Sequence, residues 1–408
     1  MNKYLIIGGG IAALGAIEGI RSVDKEGTIT IICNESVPPY ARPLISYYLE
    51  NKTDFEKMQY RTEDYYRKLR VNFLLDTSAK KIEEGAVVLQ NGEKIPFDKL
   101  LAATGSSPFV PTIEGYETVS KKFTFMTEND AKALEDSTDK DSDILIIGAG
   151  LIGLKCAEGL KNRVKSITVC DLADRVLSSI LDNESASIIE ESLKKENINL
   201  MLSDSAIKFE NNTAVMKSGK KVNFDVLVMA VGVRPNISIL KDIDVKINRG
   251  VIVNPKMETS APNIYAAGDI AESYDITAKT SKVMAILPNA YIGGFTAGTN
   301  MAGGDKRFDN QIPMNSIGFF GLHLMSAGSY DGDVYEEKTE NGLKKLFIKD
   351  NRLVGFIIIG NVDKTGIYTY LVRNSVPLDS IDFDSIKKNP SLLPFSYEYR
   401  RKNLGGVL

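Results

Sequence analysis

Residues Tyr4 to Arg21 read YLIIGGGIAALGAIEGIR. The apolar run Tyr4–Ile7 reaches three glycines, Gly8 to Gly10, and an alanine-rich stretch of helical period follows. The expected order is strand, tight turn, helix. Gly8 permits the turn, Gly10 lets the backbone approach a pyrophosphate, and the small Ala13 lets the helix pack on the strand. Free N–H groups and the positive dipole end of such a helix favour a phosphate, with Ile11 and Ala12 in its first turn. An acidic residue is then due at the end of the next strand to hold a ribose hydroxyl. Glu35 follows the apolar run Thr28–Ile32.

A single glycine pattern is weak evidence and needs its structural context. Repetition supplies more. Ile144 to Lys161 reads ILIIGAGLIGLKCAEGLK and, at an offset of 140 residues, matches the first stretch at eight of eighteen positions. It has Gly148, Gly150 and Gly153 with Leu151 and Ile152 between them, and Asp171 closes the next apolar run, Ser166–Cys170. Two strand–glycine–helix units, each followed by an acid, argue for two dinucleotide sites in an α/β chain.

The rest of the composition narrows the chemistry. A chain of 408 residues suggests two to four domains, and 43% hydrophobic with 25% charged residues is a globular composition. The net charge of −3 offers no basic footprint for nucleic acid. No apolar run approaches the ~18 residues of a membrane span, and the chain opens directly into a strand, so a cytoplasmic protein is expected. Cys33, Cys156 and Cys170 have no C-x-x-C spacing and read as buried structural thiols, with no metal site expected. The one histidine, His323, reads as a partly buried packing residue.

Further along, Pro39 and Pro43 break the strand pattern, with a helix expected from about Pro43, and Lys57–Val71 is amphipathic and expected to be helical. Asn72–Leu75, Ala86–Gln90 and Lys94–Phe97 read as strands, the last two joined by Asn91-Gly92, a hairpin signal. Lys99–Ala103 runs into Thr104-Gly105, and a helix is expected over Glu128–Glu135. The second unit closes on Asp225–Ala230 and then Gly232-Val233-Arg234-Pro235-Asn236. Ile264–Ala267 delivers Gly268 and Asp269, and Pro288-Asn289 precedes a small-residue helix, Ala290–Met301. Beyond Asn310, strands over Ser316–Phe320, Lys344–Ile348 and Leu353–Ile359, then helices over Thr365–Asn374 and Ile381–Lys388, describe a separate α+β domain.

These segments resemble the two-dinucleotide-binding-domain flavoproteins, and within them the NADH:rubredoxin oxidoreductase and nitrite-reductase flavoprotein branch. The resemblance covers nearly the whole chain. It rests on GGGIAA from Gly8, ARP at Ala41–Pro43, ATG at Ala103–Gly105, GAGLIG from Gly148, GVRPN from Gly232, IYAAGD at Ile264–Asp269 and AGTNMAG at Ala297–Gly303. It implies two Rossmann-like domains of the glutathione-reductase type and a C-terminal α+β domain. Residues 1–112 and 246–310 would form a discontinuous FAD-binding domain, 113–245 an NAD-binding domain, and 311–408 an interface domain forming a homodimer or partner surface. FAD would be held by Gly8, Gly10, Ile11, Ala12, Glu35, Arg42, Pro43, Ala79, Ala103, Thr104, Gly105, Asp269, Pro288 and Asn289. NADH would lie on Gly148, Gly150, Leu151, Ile152, Gly153, Asp171 and Gly232, with Asp171 repelling a 2′-phosphate.

Two departures from the family pattern bear on mechanism. Many relatives pair a lysine after the Arg-Pro segment with a glutamate just after the NAD fingerprint, near the flavin. Tyr47 and Lys155 stand at those positions here, so Lys155 is expected as a lone positive charge and both as catalytic-site residues. The second departure is that the redox cysteine of peroxidase and oxidase relatives, near Ser46, is missing. So are the cysteine pair and C-terminal histidine of the disulfide reductases. The resemblance therefore implies hydride exchange between NADH and FAD and direct electron exchange with a small iron–sulfur or iron protein, rubredoxin or ferredoxin. An NADH oxidase and a non-catalytic FAD-holding subunit are the competing expectations.

Overall fold

Both glycine stretches fold as strand, turn and helix. In the computed structural model, which describes residues 1–339 and 342–404, β1 (Lys3–Ile7) leads through Gly8–Gly10 into α1 (Ile11–Val23), and β2 (Thr28–Ile32) returns parallel to β1. The sheet has five strands in the order Ile264–Ala266, Lys99–Ala102, β1, β2 and Val71–Leu74. All its pairings are parallel. Helices or loops cover both faces of such a sheet, which is why β1 and Lys99–Ala102 are near-continuous apolar runs.

The second stretch repeats the plan. Asp143–Ile147, Ser166–Asp171 and Ile198–Leu202 lie side by side in a parallel sheet, with Val226–Met229 and Lys122–Phe123 on the other flank. Each half inserts a three-stranded antiparallel meander: Ala79–Glu83, Ala86–Leu89 and Lys94–Pro96 before Lys99–Ala102 in the first, Ala206–Glu210, Thr213–Met216 and Lys221–Asn223 before Val226–Met229 in the second. The chain passes between the halves twice. The two passages, Ser106–Pro108 and Val233–Pro235, pair as an antiparallel ribbon.

The chain forms two compact units. One comprises Met1–Ser179, Glu190–Ser273 and Ser281–Asp309; the other comprises Ile180–Ile189, Tyr274–Thr280 and the chain from Asn310 onward. The second unit is built on a five-stranded antiparallel sheet ordered Met314–Phe319, Leu322–Gly328, Arg352–Ile359, Gly342–Lys349, Asp333–Thr339. Its core joins Leu346, Phe356 and Ile358 to Tyr368 and Leu371 of helix Gly366–Arg373 and Ile386 of helix Phe383–Lys388. The stretch expected as 311–408 includes positions 340–341 and 405–408, which lie outside the described residues.

Local departures from the sequence reading have physical causes. Within Lys57–Val71 only Glu63–Lys68 is helical. The preceding residues fold on Asp54, whose Oδ1 accepts from the Lys57 N–H (2.9 Å), and Ala41 N–H reaches Met58 O (2.8 Å), so that part is used as a bridge to Tyr40–Ala41. His323 is exposed on strand Leu322–Gly328 and does not pack in the core.

In the first unit, α1 lies against helix Leu287–Met301 with backbones in contact. A Cβ on Gly294 or Gly298 would collide with the carbonyls of Ala12 or Ala16, and one on Gly15 or Gly19 would meet the carbonyls of Tyr291 or Phe295. Gly298→Ala gains up to about 1 kcal/mol of helix propensity but forces the helices apart, an overpacking cost of about 1–3 kcal/mol. The variant is expected to unfold at lower urea than the wild type; an unchanged or higher midpoint would refute this packing.

Candidate functional site

The two glycine loops match in detail. Gly8 and Gly148 both have φ of 115°, a region that excludes side chains, and both sit beside the carbonyl of the last residue before a turn, Ala103 or Ala230. Gly8 N–H donates to Ile32 O and Gly148 N–H to Cys170 O, both at 2.8 Å, so each loop is tied to the neighbouring strand. Gly10 and Gly150 then cap their helices. Neither helix has a side-chain cap at its N-terminus, and a Cβ on either glycine would enter empty space. Ile11, Ala12, Leu151 and Ile152 form the first turns. The exposed amide groups and the open glycine faces fit an anionic pyrophosphate at both loops. In the second loop Gly153 packs on the Gly148 carbonyl, close enough to exclude a side chain.

Around the first loop, three segments converge. A Cβ on Gly268 would touch the Ala12 and Ala290 methyls, so the first turn of α1, the Gly268-Asp269 turn and the start of helix Leu287–Met301 come together. Pro288 and the buried Asn289 occupy that helix's first turn. The half-buried Asp269 accepts from Ser106 Oγ at 2.7 Å; burial pushes its carboxyl above the ordinary range, while Ser106 and the charge of Arg42 pull the other way. Ala103 N–H bonds Ile7 O (2.8 Å), and Thr104 and Gly105 are clamped to Asn236: Thr104 Oγ1 donates to Asn236 O (2.8 Å), Asn236 Nδ2 to Thr104 O (2.9 Å) and Asn236 N–H to Gly105 O (2.9 Å). Gly232 O accepts from Phe109 N–H on the same ribbon, and Ala79 opens the first meander opposite Leu89.

Glu35 and Arg42, assigned from sequence to different parts of one cofactor, are ion-paired with each other. Tyr40, which the sequence reading did not single out, donates its hydroxyl to Glu35 Oε2 (2.8 Å) and receives Glu128 N–H (2.9 Å). Burial alone would lower the Arg42 pKa, but the Glu35 carboxylate overrides it and holds the guanidinium above its usual value. Pro43 sits in the 3-10 turn Arg42–Leu44 that leads into α2 (Ile45–Leu49).

At the second loop, both Asp171 oxygens accept backbone N–H groups: Oδ2 from Ala149 (2.7 Å), inside the glycine loop, and Oδ1 from Ala173 (2.8 Å). Lys155, expected as a lone charge, is largely buried and ion-paired with Glu158 one turn further along its helix, and its Nζ stands 4.6 Å from the Tyr47 ring centroid. The sequence reading missed Glu158 because its partner was sought on another segment; the i, i+3 spacing was the available signal.

The three cysteines are free and buried. Burial raises all three thiols, Cys170 to about 12, so none supplies a thiolate near neutral pH. Among the described residues no cluster of His, Cys, Asp or Glu could hold a metal ion, and no helix is long and apolar enough to cross a membrane.

Comparison with known proteins agrees with this geometry. The profile of the pyridine nucleotide-disulphide oxidoreductase family matches residues 2–293, and that of the rubredoxin NAD+ reductase C-terminal domain matches residues 313–376. The chain belongs to the pyridine nucleotide-disulphide oxidoreductase family. It is an NADH-dependent oxidoreductase whose cofactors are FAD and NAD(H). It is 31% identical, over 92% of its length and 93% of the relative's, to the epsilon subunit of NADH-dependent phenylglyoxylate dehydrogenase of Aromatoleum evansii. An NADH oxidase of Methanocaldococcus jannaschii is 32% identical over 88% of this chain and 87% of its own. The NADH-rubredoxin oxidoreductase of Clostridium acetobutylicum is 25% identical over 95% and 99%, and its solved structure matches with a TM-score of 0.74, at 24% identity over 95% and 99%.

The Asp269 environment generates a pH prediction. Its raised pKa means the folded state prefers the neutral carboxyl, so its contribution is full below the ordinary carboxylate range and is lost as pH rises through the raised value. FAD-free Asp269→Asn protein should therefore melt at or above the wild type near pH 7.5, with the difference gone by about pH 4. A variant that melts well below the wild type near neutral pH would overturn this account.

Proposed function

We propose that this protein exchanges electrons between NADH and a small iron or iron–sulfur carrier protein through FAD, with no thiol relay. The observation that carries this reading is the pairing of two complete, matching glycine loops with cysteines that are all buried and held protonated. The match to the rubredoxin NAD+ reductase C-terminal domain and the likeness to an NADH-rubredoxin oxidoreductase support the choice of carrier. The likeness to a subunit of an NADH-dependent dehydrogenase favours a variant of the same chemistry, in which a partner subunit delivers electrons and NADH is the product.

In this reading FAD supplies, when bound, the conversion between a two-electron hydride and single electrons. The chain's residues do the rest. Gly8, Gly10 and the open turn of α1 would hold its pyrophosphate, and Glu35, oriented by Arg42 and Tyr40, would take the adenosine ribose. Asp269, held by Ser106, would bind the ribityl chain, Thr104 and Gly105 would line the cofactor, and Pro288 and Asn289 at the start of their helix would contribute to holding the flavin. The loop Gly148–Gly153 takes the NADH pyrophosphate, with Gly232 beside it. Asp171 accepts the 2′-hydroxyl and rejects a 2′-phosphate by charge.

The test is anaerobic mixing of FAD-loaded protein with NADH, followed by rubredoxin, ferredoxin or oxygen. Rapid flavin bleaching followed by reoxidation with one carrier is expected. Fast reoxidation by oxygen alone would favour an NADH oxidase, and no bleaching would favour a non-catalytic subunit. The kcat/KM ratio for NADH over NADPH should exceed one. It should narrow in Asp171→Ala, which also loses the Ala149 bond and so lowers kcat/KM for NADH.

Lys155 makes a second test. Its positive charge would favour a reduced, anionic flavin if the cofactor binds beside it as proposed, and the neighbouring Glu158 moderates that field. Lys155→Glu should lower the flavin potential and slow its reduction by NADH, with Lys155→Met weaker in both, while NADH affinity changes less. Redox titration and stopped-flow reduction of the three proteins check this; unchanged potential and rate in Lys155→Glu would remove Lys155 from the site.

A further inference from the structure

Helix α2 (Ile45–Leu49) is five residues long, too short to keep its shape without outside partners. It carries Tyr47 and packs on helix Leu151–Leu160, which carries Lys155: a Cβ on Gly159 would press on the Ser46 carbonyl and the Leu49 side chain. The last carbonyls of any helix lack donors from within it. One of those in α2, Leu49 O, accepts Nε–H of Arg163, which stands three residues past helix Leu151–Leu160. Arg163 Nη2 also donates to Asn51 Oδ1 (2.8 Å), where the chain leaves α2 with φ of 58°. One guanidinium from the second half therefore caps α2 and holds its exit turn.

A third helix closes the arrangement. Arg163 Nη2 lies 2.7 Å from Glu135 Oε1, near the end of helix Glu128–Ser137, and the other Glu135 oxygen accepts the Tyr48 hydroxyl. That hydrogen bond is the largest of the influences that push the Tyr48 phenol up to about 12, so it stays a donor around neutral pH. The Tyr48 ring rests on Phe55, with centroids 4.1 Å apart. Arg163, Glu135 and Tyr48 thus tie α2 of the first half to two helices of the second, all within the first compact unit. Tyr47 is the neighbour of Tyr48 on α2, and its ring centroid is 4.6 Å from Lys155 Nζ. Where α2 is held decides whether that ring meets that ammonium.

We infer that Arg163 is a positioning residue for flavin reduction: by capping α2 and tying it through Glu135 to the second half, it keeps the Tyr47 ring on the Lys155 ammonium. The inference rests on the proposed reading that Tyr47 and Lys155 belong to the place where NADH meets the flavin. Arg163 touches no cofactor in this scheme. It acts through a carbonyl, an amide side chain and a carboxylate. Without it the end of α2 loses its cap and Glu135 loses its cation, so the helix frays and Tyr47 leaves its place.

The experiment uses the FAD-loaded full chain as wild type, Arg163→Met, Tyr48→Phe, Tyr47→Leu and Arg163→Met combined with Tyr47→Leu. Stopped-flow with NADH separates the Kd from the limiting rate of flavin reduction. Amide exchange is followed over Ser46–Lys52, where the N–H groups of Glu50, Asn51 and Lys52 bond the carbonyls of Ser46, Tyr48 and Tyr47. Arg163→Met should quicken that exchange and lower the limiting rate about tenfold, while flavin content holds and the NADH Kd stays within about twofold. In the Tyr47→Leu background the Arg163→Met change should cost little further rate, because both act on one contact. Wild-type exchange or a wild-type limiting rate in folded Arg163→Met would overturn the inference, as would a rate loss that persists in full beside Tyr47→Leu. If Arg163→Met does not fold, Tyr48→Phe, which keeps the ring on Phe55 and loses only the bond to Glu135, decides by the same measurements. A Tyr47→Leu protein reduced at the wild-type rate, or a wild type that NADH does not bleach, would withdraw the reading of the site, and the inference with it.

Discussion

The contact between α1 and the helix Leu287–Met301 is the constraint on which the first unit depends. Four glycines and two alanines let the two backbones touch, so the helices are held by close-packed main chain and not by interlocking large side chains. Such a contact has one geometry, because any added methylene must move a carbonyl. It fixes the starts of two helices far apart in the chain, and a Cβ added to Gly268 would meet the methyls of Ala12 and Ala290. That packing sets Asp269, next in the chain to Gly268, near the start of α1, and Ser106 Oγ holds its carboxylate. Glu18, which accepts from Tyr65 (2.7 Å), Arg61 (2.9 Å) and Tyr291, pins the outer side of the same pair.

Charges near the candidate site are satisfied locally. Arg42 and Glu35 neutralise one another, and Lys155 finds Glu158 on its own helix. Buried charges are tolerable only with partners of good geometry. A local i, i+3 pair is a secure way to keep a cation at a fixed place, since both members move with one helix. The Tyr47 ring receives two ammonium groups, Lys155 at 4.6 Å and Lys52 at 5.7 Å, so an aromatic face stands where the family pattern has a lysine. Positive charge is kept at this spot by different residues.

The sequence revealed what is local and left out what is assembled. Both glycine loops were legible because turn, cap and helix follow one another within a dozen residues, and the repeat at 140 residues removed the ambiguity of a single pattern. Family resemblance brought in the rest of the expected cofactor residues. Ser106, Tyr40 and Asn236 were invisible as functional neighbours, since their partners are reached only through sheet order and the ribbon between the halves. Strand Asp333–Thr339 was missed because it lies at the edge of its sheet and its side chains are mostly exposed, which erases the apolar alternation.

The ribbon of Ser106–Pro108 with Val233–Pro235 makes the second half an insert with adjacent ends. Where the chain enters and leaves the second half, its two strands lie side by side, in register from Val233 with Pro108 to Pro235 with Ser106. A module whose ends are neighbours can be set into a host loop, or lifted out, without stretching the host. The two halves share a strand–glycine–helix unit and a three-stranded meander leading back into the parallel sheet. The second half is set within the first, between the first glycine loop and the helix that packs on it. The backbone-to-backbone contact of α1 with Leu287–Met301 spans that insertion, so the first half stays whole although its chain is interrupted.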